Sequence, residues 1–166
     1  MNRITAYIRQ SLQDIYPPEE VKALSMLICC DMLGVDALDI YMGKDIILSA
    51  CKQRELENII FRLQKNEPIQ YIRGYAEFCG RNFRVAPGVL IPRPETAELV
   101  DLIVKENPDA RRLLDIGTGS GCIAISLDKK LPDAKVDAWD ISEEALAIAR
   151  KNNEELDAQV TFRRQD

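Results

Sequence analysis

One stretch leaves this chain little freedom in what it folds into: Arg112-Leu-Leu-Asp-Ile-Gly-Thr-Gly-Ser-Gly-Cys-Ile-Ala-Ile-Ser-Leu127. A short apolar run, three alternating glycines and a helical apolar pattern read as strand, tight turn and helix. Leu113, Leu114 and Ile116 read as the apolar run of a strand buried on both faces, with Asp115 set near its end. Gly117, Gly119 and Gly121 lack Cβ atoms, so the chain can bend sharply there and bring its amides close to a ligand. The helix that follows points its positive end the same way.

The spacing narrows the ligand. A dinucleotide fingerprint reads Gly-x-Gly-x-x-Gly, whereas here Cys122 holds the third glycine's place and Gly121 stands one residue early. A pyrophosphate ligand fits that register badly. Asp115-x-Gly117-x-Gly119-x-Gly121 instead resembles the first motif of S-adenosylmethionine-dependent methyltransferases. Their cofactor carries no phosphate and presents an ammonium and a carboxylate, and an acidic residue beside the glycines suits that zwitterion. The resemblance implies cofactor binding by Asp115, Gly117, Thr118, Gly119, Ser120 and Gly121. A second carboxylate follows: Lys135-Val-Asp-Ala-Trp-Asp-Ile141 reads as the next strand and ends at Asp140. Nucleotide-binding folds place a ribose-hydroxyl acceptor there, about 20 residues past the glycines. Ser142 is the better cap for the helix beyond, with Glu143 and Glu144 in its first turn, which leaves Asp140 for the ribose.

The remaining composition excludes more than it suggests. There is no histidine among the 166 residues, so neither a histidine base nor a histidine-ligated metal is available. Five cysteines (29, 30, 51, 79 and 122) show no metal-ligand or Cys-x-x-Cys spacing, and their odd number argues against a disulfide framework. They are expected to be reduced and mostly packed. A net charge of -5 weighs against a broad grip on nucleic-acid phosphates. No run approaches the roughly 20 apolar residues of a membrane span, and the N-terminus lacks the order of a signal peptide. A soluble, cytoplasmic protein is expected.

Before the glycines, the pattern is helical and then changes. Ile4, Tyr7, Ile8, Leu12 and Ile15 recur at threes and fours; Pro17-Pro18 separates them from a second helix that Gly34 closes. A short helix over 36–42 and a longer one over 49–64 follow, the latter stopped at Asn66-Glu67-Pro68. Beyond Gly74 the period falls to two, and 76–79 and 82–85 read as strands of a hairpin turning at Gly80-Arg81. Val89-Leu-Ile-Pro-Arg-Pro-Glu-Thr96 is stiffened by its prolines. Carrying Arg93, Glu95 and Thr96, it reads as a lid over a cofactor pocket. Pro94 opens a helix that runs to Asn107-Pro108, and Gln159–Arg164 reads as a third strand.

Taken together, Glu77-Phe78 with Phe83 and Val85, the run Pro87-Gly-Val-Leu-Ile-Pro-Arg-Pro-Glu-Thr96, and Leu114-Asp-Ile-Gly-Thr-Gly-Ser-Gly-Cys-Ile-Ala-Ile125 resemble the HemK family, the release factor glutamine methyltransferases. The resemblance implies an α/β chain: an N-terminal helical bundle (residues 1–72) that recognises substrate, a β-hairpin and proline-rich linker (73–93), and the first half of a Rossmann-like class I methyltransferase domain (94–166). It implies S-adenosylmethionine as cofactor and peptide chain release factors as protein substrates, methylated on the glutamine amide of their Gly-Gly-Gln tip, with no membrane or direct nucleic-acid partner. Family members hold that amide with an Asn-Pro-Pro-Tyr motif, which does not occur in this sequence. No catalytic residue is therefore assigned, and the chain is expected to be an N-terminal piece, inactive alone.

In methyltransferase sheets of this class the glycine-motif strand lies in the middle. With later strands missing, one edge of 113–116 should be unpaired, giving either contact with another chain along it or poor order beyond about Arg112. Three alternatives stay open: a nucleic-acid amino-methyltransferase, a non-catalytic interaction module, and, ranked last on glycine register, a nicotinamide-dependent reductase.

Overall fold

The computed structural model describes residues 2–166, which divide into two compact units, the first ending at Ile72 and the second running from Arg73 to Asp166.

The first unit is helical. Helix α1 (Arg3–Leu12) begins at Asn2, whose side chain accepts from the Ile4 amide and donates to the Lys44 carbonyl. Its apolar stripe, Ile4, Ile8 and Leu12, is buried; Ile15 lies beyond the helix and is 41% exposed, so the stripe ends one repeat earlier than its spacing suggested. Helix α2 (Pro18–Met26) opens on proline and runs into a π-helical stretch, Leu27–Met32. Helices α3 (Ala37–Tyr41), α4 (Ala50–Gln64) and α5 (Ile69–Arg73) follow, the first two capped by the side chains of Asp36 and Ser49. Leu56, Ile59, Ile60 and Leu63 of α4 close the core over α1 and α2. None of the described helices is long and apolar enough to cross a membrane.

The second unit opens with a hairpin, β1 (Tyr75–Phe78) and β2 (Arg81–Arg84), antiparallel with Phe78 opposite Arg81. The register makes Cys79-Gly80 the two-residue turn, not Gly80-Arg81. Both turn residues have positive φ, 47° and 71°, the geometry that matches the twist of the flanking strands. The hairpin is built into the unit's core: Phe78 and Phe83 meet edge to face at 5.9 Å and join Val100, Ile125 and Val136 in one cluster.

Helix α6 (Pro94–Glu106) precedes a three-stranded parallel sheet of β3 (Arg112–Ile116), β4 (Lys135–Asp140) and β5 (Thr161–Arg164) in that spatial order, with helices α7 (Cys122–Lys130) and α8 (Glu143–Glu155) as crossovers. The third strand thus starts two residues later than Gln159. Parallel crossovers are right-handed in nearly all folds, so two of them stepping the same way put α7 and α8 on one face. That explains the burial. Val136 and Ala138 are fully buried on the covered face, whereas Leu114 is 46% and Ile116 74% exposed on the other. The expectation that β3 is buried on both faces is corrected accordingly. Among the described residues its outer edge is unpaired, as expected, and residues beyond Arg112 form regular strands and helices. The result is a mixed α/β architecture with a short parallel sheet, the topology expected of the first half of a Rossmann-like domain.

Candidate cofactor site

Everything proposed for the site lies within the second unit, at the C-terminal ends of β3 and β4. The turn leaving β3 has positive φ at all three glycines: 77° at Gly117, 56° at Gly119 and 79° at Gly121. They serve different purposes. A Cβ on Gly121 would come within 3.1 Å of Ile125 Cδ1 and 3.2 Å of Ala149 Cβ, so that glycine lets α7 and α8 approach each other. Cβ atoms on Gly117 and Gly119 would meet nothing within 4 Å. The bend therefore has open space in front of it.

Most of the turn's own amides are already engaged. Gly117 and Thr118 both donate to the Trp139 carbonyl, Gly121 to that of Thr118, and Gly119 to Asp140 Oδ2 at 2.8 Å. A ligand here meets carboxylates more than amides. Thr118 is 5% exposed and its hydroxyl donates to Asp115 Oδ2 at 2.7 Å. Burial pushes the Asp115 carboxyl above its ordinary range; the Thr118 hydroxyl and the Ala124 amide pull it back, and the Asp140 charge pushes it further up. Asp140 Oδ1 accepts from the Ser142 amide at 2.9 Å. Each Asp140 oxygen thus takes one backbone N–H and keeps a lone pair for another donor. Ser142 caps α8 by accepting from Ala145.

The structure therefore joins Asp115 to Thr118 and Gly119 to Asp140, around one bend. Arg93 and Glu95 are exposed at the start of α6, with Thr96 partly buried, and no bond given by the structure brings them to the turn. One neighbour was not foreseen. Ser120, expected at the site, is 2% exposed, and its carbonyl accepts from the side chain of Asn152, itself 1% exposed on α8. A polar residue on the stripe Ala145, Ala149, Asn152, Leu156 was the available signal.

Residues 4–74 match the family described as PrmC N-terminal domain, and residues 95–166 that described as Methyltransferase small domain. The whole chain is 99% identical to a release factor glutamine methyltransferase of Bacteroides thetaiotaomicron, covering 60% of that protein. A protein of the same name from Flavobacterium psychrophilum is 40% identical over 158 residues, 92% of this chain and 55% of that one. A third, from Koribacter versatilis, is 50% identical over 136 residues, 81% of this chain and 49% of that one. The chain belongs to the HemK family of release factor glutamine methyltransferases.

It spans about 60% or less of the length of these HemK relatives. Residues 75–94, which hold the hairpin and the proline-rich segment, lie between the two matched regions. Within this chain the glycine turn and both carboxylates fall inside the methyltransferase match.

Proposed function

We propose that the second unit is the cofactor-binding part of an enzyme that methylates the side-chain amide of the Gly-Gly-Gln glutamine in peptide chain release factors. Residues 1–72 would recognise the protein substrate, 73–93 connect, and 94–166 hold the cofactor. The observation that carries the cofactor reading is electrostatic. Two carboxylates, Asp115 and Asp140, flank one glycine bend, and after burial the Asp140 charge adds to the cost of ionising Asp115. A diphosphate placed there would be repelled, whereas a cationic group relieves the repulsion. S-adenosylmethionine is the cofactor of methyltransferase domains of this kind, and the residues fit it. Asp115, with Thr118 fixing its carboxylate, would hold the ammonium. Asp140 would accept from the ribose hydroxyls through the lone pairs its backbone donors leave free. Gly117 and Gly119 would leave room for the nucleoside, while Ser120 and Gly121 keep the bend in place.

When bound, this cofactor supplies an electrophilic methyl group on sulfur. An amide nitrogen is a poor nucleophile because its lone pair is delocalised into the carbonyl; the protein must therefore fix the nitrogen in line and accept its protons, chiefly through positioning and electrostatics. Asn-Pro-Pro-Tyr, the motif associated with that task in the family, does not occur in this sequence, so the chain by itself should transfer no methyl group. The test extends the chain to the length of its Bacteroides relative and follows labelled methyl transfer to release factor, RNA and DNA. Methylation of the release-factor glutamine is expected; methylation of nucleic acid alone would overturn the reading.

A further inference from the structure

We propose that Asn152 is a positioning residue that fixes the glycine turn and the base of the 85–93 segment relative to each other through one side-chain amide. This rests on the cofactor reading of the turn and deepens it. Asn152 Oδ1 accepts from the Arg84 amide at 2.7 Å, while Nδ2 donates to the Arg84 carbonyl at 3.1 Å and to the Ser120 carbonyl at 2.8 Å. Both donor hydrogens are used, and on a side chain 1% exposed.

An ordinary buried asparagine satisfies a local backbone group. This one reaches two segments distant in sequence from it and from each other. At Arg84 it grips both the amide and the carbonyl, as a neighbouring strand would, at the residue where β2 ends and the proline-stiffened segment begins. At Ser120 it holds the middle of the bend, next to the Gly119 amide that donates to Asp140. Movement at either end is therefore passed to the other through a single rigid amide. A second tie joins the same helix and strand: Arg84 Nε lies 2.6 and 2.7 Å from the two Glu155 carboxylate oxygens. That pair is exposed and does not touch the turn, so it separates anchoring of the hairpin from positioning of the site.

The test is backbone amide exchange read residue by residue on the 166-residue chain, with S-adenosylhomocysteine titration beside it. Asn152→Asp preserves the side chain's shape and the bond accepted from Arg84 but turns both donated bonds into repulsions. It should speed exchange at Gly119, Gly121 and Val85 by about ten-fold or more and weaken S-adenosylhomocysteine binding by about the same factor. Glu155→Gln should change neither by more than about two-fold. Unchanged exchange in a folded Asn152→Asp chain, or faster exchange confined to one of the two segments, overturns the proposal. Should Asn152→Asp not fold, the unsubstituted chain decides. Its two Asn152 side-chain amide protons should exchange about 100-fold more slowly than those of a free asparagine, two hydrogen bonds being worth roughly that factor; exchange at the free rate contradicts the assignment. If exchange behaves as expected but S-adenosylhomocysteine binds nowhere on the chain, the cofactor reading fails and the coupling stands.

Discussion

Asp115 makes the folded chain less stable than it could be. Its carboxyl binds a proton more tightly in the folded than in the unfolded state. Its contribution therefore becomes unfavourable as pH rises from the ordinary value of 3.8 through the raised folded value, and stays so above it. Asp115→Asn, which retains an acceptor for the Thr118 hydroxyl, should stabilise the chain by roughly 0.5–1 kcal/mol at about pH 7. The gain should shrink toward pH 4. Urea unfolding at the two pH values measures it, and a variant less stable at both would refute the argument. The cysteines give a second residue-level test. Burial pushes the Cys29 and Cys122 thiols up to about 11, whereas Cys51 is exposed. Alkylation followed by mass spectrometry should mark Cys51 first and leave 29 and 122 unmodified until the chain unfolds; early labelling of Cys122 would contradict its packing. The residues that could be read from sequence are those whose property is local: the missing Cβ of Gly117 and Gly119, the charges of Asp115 and Asp140. Asn152 could not be, because its role exists only once α8 lies against both β2 and the turn.

At the scale of elements, the glycines differ in what they protect. Gly121→Ala places a methyl group against Ile125 and Ala149 at positive φ, and should cost about 2–4 kcal/mol from strain and overpacking together. Gly117→Ala meets open space and should cost only the backbone strain, about 1–2 kcal/mol, while obstructing the space proposed for the nucleoside. Thermal melts of the pair rank them; equal losses would contradict the assignment of the two roles. Phe83→Ala empties a fully buried position and should cost about 3–5 kcal/mol, enough to unfold the second unit if the hairpin is part of its core. Calorimetry that shows the hairpin melting alone would argue otherwise. The helix starts at Pro18, Ser49, Pro94 and Ser142 were legible because caps and N-terminal prolines are sequence-local. The hairpin turn was misplaced by one residue because Cys79 adopts a positive φ that its residue type does not advertise. The exposed face of β3 was missed for a different reason. An apolar run tells how a strand composes itself, but which face is covered depends on the direction of the crossovers.

At the scale of the whole molecule, the chain carries two cores that do not share residues, one of helices and one around a short parallel sheet. The boundary between the two units lies close to Gly74, where the sequence changes from a helical period to a period of two, a signal spread over many residues. The -5 charge belongs to the molecule as a whole and does not reveal how its carboxylates are placed; the motif spacing pointed to Asp115 and Asp140, and the fold brings both to one bend. The account turns on that placement. The most direct measurement is a two-dimensional amide NMR titration of the 166-residue chain with S-adenosylmethionine and, separately, with a nicotinamide dinucleotide. Saturable shifts at Gly117, Gly119 and Asp140 with the first ligand, absent with the second and lost in Asp140→Ala, are expected. Stronger shifts with the dinucleotide, or S-adenosylmethionine shifts that avoid the bend, would contradict the claim.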